Sequence, residues 1–240
     1  INAVRLINVN YNNNAYRISD ETLHFNGKST LISLQNGGGK SVLVQMLTAP
    51  FVHPKYRNTK DRLFESYFTT NKPSFILVEW ALDQGAGYVL TGLMVRKSQD
   101  MEEDRKENLD IIGIVSEYQS PCIQDIHHLP VVEKGKKEMI LKNFNSCRQL
   151  FETYKKDRDM KFFYYDLTNY AQSRQYFNKL MEYQINYKEW ETIIKKINLK
   201  ESGLSDLFAD CKDEKGLTEK WFVEAIESKL NKDKNRIKEF

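Results

Sequence analysis

Residues 31–41 read LISLQNGGGKS, and the rest of the chain is most readily interpreted outward from this segment. Its apolar start predicts a short β-strand over residues 30–34. The apolar run that follows Ser41 predicts a helix to about Thr48, because Pro50 ends it. Three glycines connect the two elements, at Gly37, Gly38 and Gly39. A strand, a glycine loop and a helix N-terminus in this order are typical of a phosphate-binding loop.

Each residue type in this loop has a physical reason to hold a phosphate. Glycines let backbone N–H groups turn toward the anion without a Cβ in the way, and a helix start adds further N–H donors and a partial positive charge. We predict that Lys40 contacts the β- and γ-phosphates and that the Ser41 hydroxyl binds Mg²⁺. The nucleotide-binding residues predicted here are Asn36, Gly37, Gly38, Gly39, Lys40, Ser41 and Val42.

One residue separates this loop from the full pattern G-x-x-x-x-G-K-[ST]. Leu34 occupies the position of the first glycine, which changes how the chain enters the loop rather than the glycines that follow. The alternative interpretation is a glycine-rich strand-to-helix turn that binds nothing. Few other uses are known for GGGKS between a strand and a helix, so phosphate binding is the favoured hypothesis.

Composition restricts the class of protein. The chain has 240 residues, of which 40% are hydrophobic and 29% charged, as in a soluble globular protein of one large or two small domains. The net charge of +3 does not by itself indicate a nucleic-acid partner. Three scattered cysteines fit a reducing cytosol, and no apolar run of about 18 residues predicts a membrane span. The chain begins at Ile1 rather than Met, from which we expect a trimmed N-terminus.

Apolar runs predict the other elements. The expected strands cover residues 3–10, 16–18, 22–25, 74–82, 88–97, 111–117 and 160–165, with short strands at 131–132 and 139–141. Residues 26–27 and 83–87 are expected to form hairpin turns. The expected helices cover residues 143–153, 170–183 and 187–197. Residues 53–73 form a basic, polar connection, which predicts either a solvated loop or an arginine loop that faces DNA or phosphate.

The last stretch, residues 218–240, predicts a helix that begins at an N-cap, Thr218. Its apolar residues fall on the a and d positions of a heptad, with Asp233 as the polar exception. This pattern favours the base of a coiled coil, with an ordinary amphipathic surface helix as the alternative.

Two acids follow apolar runs and could serve Mg²⁺ or an attacking water beside the loop. Glu79 follows FILV and Asp166 follows FFYY. The alternative is that each belongs to a buried strand and has no catalytic part. Glu79 lies inside a strand that continues through Trp80, which argues against a catalytic role.

Several segments together resemble the N-terminal lobe of an SMC-type ATPase head. They are VRLINVNY, QNGGGKS, the hairpin FILVEWALDQGAGYVLTGLMVRK, and WETIIKKINLKESGLSDLF. The likeness is greatest to the bacterial condensin-like heads of the MukB type and of the Wadjet anti-plasmid system. It is specific in the loop and weak across residues 100–160.

This resemblance implies an ABC-type α/β P-loop fold with a mixed sheet and a β-meander. Residues 1–217 would form the N-terminal lobe, with an insertion at 100–160, and residues 218–240 would begin the coiled coil. The family's catalytic glutamate, Mg²⁺-site acid and signature motif lie in a C-terminal lobe at the other end of a long chain. The catalytic residues of the present chain are therefore unknown, and ATP hydrolysis would require that lobe and a second head.

The resemblance also implies further site residues and partners. Asn12, Asn13 and Arg17 would lie near the nucleotide base, and Asn198 would be a second candidate ligand of Mg²⁺ beside Ser41. The implied partners are ATP, the C-terminal lobe, a second head in a homodimer, kleisin-type subunits and DNA, in a cytoplasmic or nucleoid-associated setting without a membrane. The implied role is chromosome organisation and segregation or defence against foreign DNA.

Two other functions remain open. A self-contained P-loop kinase or GTPase would need its second acid within these residues, at Glu79 or Asp166. A non-catalytic interaction module would carry a degenerate loop in which Leu34 blocks the nucleotide.

Overall fold

A computed structural model of the chain describes residues 1–11, 14–33, 39–59, 62–99, 108–135 and 139–198. The chain divides into two compact units, Ile1–Thr192 and Ile193–Phe240. The predicted boundary between residues 217 and 218 and the coiled-coil helix both lie outside the described residues and stay predictions.

The described residues form an α/β fold in which helices cover both faces of a sheet. Its strands are β1 (Ala3–Tyr11), β2 (Tyr16–His24), β3 (Ser74–Ala81), β4 (Tyr88–Lys97), β5 (Leu109–Tyr118), β6 (Val132–Lys134), β7 (Met139–Leu141) and β8 (Lys161–Asp166). Its helices are α1 (Lys40–Thr48), α2 (Phe144–Lys156), α3 (Tyr170–Glu182) and α4 (Tyr187–Asn198). Most predicted elements are confirmed, although the two short strands expected at 16–18 and 22–25 are one continuous strand, β2.

The main sheet has six strands in the order β2-β1-β3-β4-β5-β8, and every pairing is antiparallel. Strands β6 and β7 form a separate two-stranded sheet. The expected mixed sheet is therefore not found among the described strands. Hairpins can join antiparallel neighbours directly, whereas a parallel pair needs a long crossover. Strand β5 lies within the predicted insertion and yet belongs to the main sheet.

The strand expected to lead into the glycine loop is absent over its described part, residues 30–33. Leu31 is 95% exposed and Ile32 is 41% exposed, so neither is buried against a neighbouring strand. A strand requires a partner for its backbone groups as well as an apolar sequence. The expectation was wrong here because it considered the sequence pattern alone. Asn26 and Gly27 do form a turn, with positive φ angles at both, but not the expected hairpin, because no strand follows over residues 28–33.

Two apolar clusters lie on the opposite faces of the sheet, and β1 contributes to both. Val4, Leu6 and Val9 belong to the cluster with α1 and α3, while Ala3 and Ile7 belong to the cluster with α2. Strict alternation would put Val9 with Ile7. Asn8 adopts a positive φ of 57° between them, and this break in the strand returns Val9 to the face of Leu6.

Helix α3 approaches its face of the sheet at a glycine. A Cβ on Gly113 of β5 would lie 2.7 Å from Cδ2 of Tyr176, so only glycine leaves room for that ring. The Tyr176 hydroxyl donates a hydrogen bond to the Pro50 carbonyl over 2.9 Å. This contact ties α3 to the turn that follows α1.

The basic connection after α1 is packed into the fold at Arg57, whereas Lys55, Arg62 and Lys72 are exposed, as a solvated loop predicts. Arg57 is 2% exposed, donates from Nε to the Ala49 carbonyl over 3.1 Å and lies over the Phe64 ring. Phe64 and Tyr67 are buried beside it. Arg57 therefore supports the fold and does not face DNA or phosphate. No helix in the described part of the chain is both long and apolar enough to span a membrane.

Candidate nucleotide-binding site

Helix α1 begins at Lys40, immediately after a glycine in the left-handed conformation. Gly39 has φ 87° and ψ 16° and makes no side-chain cap. The Leu43 N–H is bonded to the Gly39 carbonyl over 2.8 Å. In an α-helix the N–H groups ahead of that bond have no acceptor within the helix itself. The first turn also carries no acid, so the helix start favours an anion.

The first three residues of α1 divide between solvent and core. The side chains of Lys40 and Ser41 are exposed, whereas Val42 is only 6% exposed. The predicted roles of Lys40 and Ser41 need side chains that reach a ligand, and exposure allows this. Val42 can take part only through its backbone N–H, because its side chain packs into the core.

Buried hydrogen bonds hold α1 in place. Gln45 donates from Nε2 to the Arg57 carbonyl over 2.7 Å, and the Tyr67 hydroxyl donates to Gln45 Oε1 over 2.6 Å. Gln45 and Tyr67 are both nearly inaccessible to solvent. Burial alone raises the pKa of Tyr67, while the charge of Arg62 lowers it in part. The buried side of α1 is therefore held by hydrogen bonds, and its first turn is in position without a ligand.

Two tyrosines lie beside this helix start, and sequence reasoning missed both. A Cβ on Gly39 would lie 3.6 Å from Cε2 of Tyr11, so this ring borders the glycine. Tyr11 stacks on Tyr16, with ring centroids 5.3 Å apart and planes inclined by 20°. They are the last pair of the β1–β2 hairpin, and Tyr16 is 54% exposed. The available signal was a tyrosine on each side of residues 12–15, which read NNNA.

The remaining predicted residues are only partly described. Asn36, Gly37 and Gly38 lie outside the described residues, as do Asn12 and Asn13. Arg17 pairs in register with Asn10 and lines a separate pocket, whose lining does not include the start of α1. Asn198 is the last residue of α4 and belongs to the second compact unit, so its predicted metal-binding role stays a prediction.

Glu79 is one of the two acids that a self-contained enzyme could use, and in the structure its carboxylate is hydrogen-bonded within the fold. Glu79 is 3% exposed inside β3 and accepts hydrogen bonds from Asn2 Nδ2 over 2.7 Å and from the Tyr118 hydroxyl over 2.6 Å. Burial and this contact raise the pKa of Tyr118, which stays a hydrogen-bond donor. Both carboxylate oxygens therefore have structural partners.

Asp166 lies on the edge strand far across the sheet from β1, whose Tyr11 borders the start of α1. It ends β8, which is four strands from β1 in the sheet order, or about 19 Å at the usual strand spacing. Its Oδ1 accepts from the N–H and the hydroxyl of Thr168, which closes the turn into α3. The described residues contain no group of three or more His, Cys, Asp or Glu side chains placed to hold a metal ion.

The chain matches no protein-family model, and a search of curated proteins finds no significant relative. The residues and geometry of the site therefore carry the functional interpretation.

Proposed function

We propose that this chain binds ATP·Mg²⁺ at the start of α1 and is the N-terminal half of an SMC-like ATPase head. The observation that carries the proposal is the left-handed Gly39 that leads into an uncapped helix beginning Lys40-Ser41. Phosphate at a helix N-terminus gains both from the N–H groups there and from the helix dipole.

Each residue at this helix start has a distinct part in binding. Lys40 supplies a charge to the β- and γ-phosphates, and the N–H groups of Ser41 and Val42 donate to phosphate oxygens. The exposed hydroxyl of Ser41 is a suitable ligand for Mg²⁺, which prefers oxygen donors. Held there by Ser41, Mg²⁺ would supply positive charge that offsets the negative charge of the phosphates.

The tyrosine pair supports a site for the nucleotide base. Tyr11 borders Gly39 and Tyr16 is stacked on it, so an exposed aromatic surface lies next to the proposed phosphate site. An adenine ring can stack on such a surface, with about 1–3 kcal/mol per base–aromatic contact.

The proposal includes a second lobe that completes the site. Leu31 and Ile32 expose apolar side chains just ahead of the loop, as expected of a segment that another part of the protein covers. Glu79 and Asp166 are occupied in the fold, so an acid for hydrolysis must come from elsewhere. The chain alone then binds ATP and hydrolyses almost none. In the whole protein, two heads closing on two ATP molecules would act on DNA through the coiled coils.

Isothermal calorimetry with ATP·Mg²⁺ tests the proposal on the wild type and on Lys40→Ala. Loss of the charge-assisted contact should weaken binding by about 2–3 kcal/mol. Lys188→Ala removes an exposed lysine from α4 and is the matched control, which should bind as the wild type does. Equal affinity in Lys40→Ala and the control would show that α1 does not hold the phosphates.

A turnover assay separates the proposal from its two alternatives. Rapid ATP or GTP hydrolysis, or phosphoryl transfer, by the chain alone would favour a self-contained enzyme. Absence of any ATP·Mg²⁺ binding to the wild type would favour an interaction module with a degenerate loop. Binding without turnover is the result that the proposal expects.

A further inference from the structure

The pocket that Arg17 lines is polar, has a volume of about 350 Å³ and lies at the end of the sheet where β1 ends and β2 and β3 begin. Strand β1 contributes Asn8 and Asn10, the β1–β2 connection contributes Asn14, and β2 contributes Arg17. Residues 69–72, just before β3, complete the lining. The lining of this pocket does not include the start of α1.

Hydrogen bonds fix one wall of this pocket. Asn10 donates from Nδ2 to Thr69 Oγ1 over 3.3 Å, and Thr69 Oγ1 donates to Asn14 Oδ1 over 3.1 Å. Asn8 donates from Nδ2 to the Pro73 carbonyl over 3.1 Å, and the Ser74 hydroxyl donates to the Asn8 carbonyl over 2.6 Å. These bonds join residues more than 50 positions apart in sequence. The segment ahead of β3 is thus held against β1.

A residue in an unusual backbone conformation forms part of the same wall. Asn8 has φ 57° and is 3% exposed. A left-handed conformation away from glycine is uncommon and persists where the surroundings stabilise it, often at ligand sites. Here the Ser74 and Pro73 contacts stabilise it.

The charge of the lining has one sign. Arg17 and Lys72 are its ionisable residues, both are exposed, and the lining contains no carboxylate. Within the described residues neither makes an ion pair, in contrast to Arg5 and Arg96, which pair with Asp20 and Asp110. Two cations without an opposing acid attract an anion to this pocket.

The neutral part of the lining narrows the class of anion. It consists of asparagines and threonines with no aromatic or large aliphatic side chain, so it offers hydrogen bonds and no stacking surface. Each asparagine amide has two N–H donors. Thr69 Oγ1 accepts one N–H of the Asn10 amide and none from the Asn14 amide. Amide N–H groups of both asparagines therefore remain to donate to a ligand. A phosphate group matches this set, because it carries several acceptor oxygens and binds Arg, Lys, Asn and Thr side chains.

We propose that the pocket between Arg17 and Lys72 binds a phosphate group, either as a free oxyanion or as part of a nucleic-acid backbone. This reassigns Arg17 from the nucleotide base to a separate anion site. The inference does not rest on ATP binding at α1, so each can fail without the other.

The experiment compares two probes, inorganic phosphate and a short fluorescein-labelled DNA duplex, on the full chain. Phosphate should shift the side-chain amide signals of Asn10 and Asn14 in ¹⁵N-edited NMR spectra. If the phosphate of a backbone is the ligand, Arg17→Gln/Lys72→Gln should weaken duplex binding about tenfold or more and reduce the salt dependence by about two phosphate contacts.

Two controls make the outcome specific. Arg158→Gln/Lys188→Gln removes the same charge from exposed sites outside the pocket and should bind both probes as the wild type does. Lys40→Ala should also leave the amide shifts and duplex binding unchanged, which separates this pocket from α1. Thermal melting checks that both double variants fold.

If phosphate shifts the amide signals and Arg17→Gln/Lys72→Gln, the pocket variant, abolishes those shifts, the proposal is supported and the ligand is a free oxyanion. Duplex binding that only the pocket variant weakens supports it and assigns a backbone phosphate. The proposal is overturned if neither probe binds at Asn10 and Asn14, or if the two double variants lose binding equally.

Discussion

In the described part of the chain, two clusters of backbone N–H groups favour an anion, and they differ in what accepts their hydrogen bonds. Asp125 occupies one of them: its carboxylate accepts from the N–H groups of Cys122, His127 and His128 at 2.8–2.9 Å and is buried. The other cluster, at the start of α1, follows Gly39, and no acid lies in its first turn. The same backbone chemistry supports the fold in one place and, in our proposal, binds a ligand in the other.

The other helices support this contrast. Asn143 precedes α2 and accepts from the Ser146 N–H over 2.8 Å, while Asn169 precedes α3 and accepts from the Gln172 N–H over 3.1 Å. Both are standard caps that satisfy N–H groups with the chain's own oxygen atoms. Gly39 offers no such atom to α1. A helix whose N-cap residue gives no side-chain acceptor has N–H groups that an exogenous anion can satisfy.

The largest expected effect comes from emptying the Asp125 cluster. Asp125→Ala removes a buried carboxylate and leaves three part-buried N–H groups without their acceptor, so it should lower the free energy of unfolding by about 3 kcal/mol or more, measured by chemical denaturation. Asp159→Ala, at an exposed carboxylate, is the control and should change it by less than about 0.5 kcal/mol. Similar stability in the two variants would contradict the structural role of Asp125.

The loss of stability in Asp125→Ala should also depend on pH. Burial raises the pKa of the Asp125 carboxyl, but hydrogen bonds from Cys122, His127 and His128 outweigh it and hold the pKa below the ordinary value of 3.8. A lowered folded-state pKa gives stability that is present above the unfolded-state value and lost as the pH falls through the folded-state value. The stability gap between wild type and Asp125→Ala should therefore narrow below about pH 4.

An effect of comparable size, on ATP binding, is expected when an acid is introduced at the N–H groups that begin α1. Gly39→Asp places a carboxylate where the phosphates should lie, and like-charge repulsion should weaken ATP·Mg²⁺ binding by about 3 kcal/mol. Gly27→Asp makes the same change at an exposed turn glycine with a similar φ of 66° and should leave binding unchanged. Unaltered calorimetric affinity in Gly39→Asp would mean that α1 does not receive the anion.

The smallest effect tests the asparagine caps. Asn143→Ala removes the acceptor of the Ser146 N–H and should lower the free energy of unfolding by about 1 kcal/mol, seen as a lower denaturant midpoint. It should leave ATP binding unchanged, because α2 packs on the opposite face of the sheet from α1. A change in nucleotide affinity would show that the two helix starts are not independent.

Local patterns were sufficient for most elements. The apolar runs of β1, β3, β4, β5 and β8 and the four helices lie close to where the sequence predicts them. For the candidate site, the sequence placed the start of α1 after the glycines, and the structure confirms that boundary at Lys40. The sequence did not predict Tyr11 and Tyr16 as site residues, because the register of the β1–β2 hairpin is what places them side by side.

By itself, the sequence determined where the chain turns, where α1 begins and which residue types meet there, because glycine conformation and apolar periodicity act over a few residues. Tertiary structure alone decided that residues 30–33 form no strand, that the described sheet is antiparallel and that Arg57 is buried. It also decided that Arg17 lines a pocket whose lining does not include the start of α1. These outcomes depend on which distant segments supply hydrogen-bond partners and apolar contacts, and a local pattern does not encode that choice.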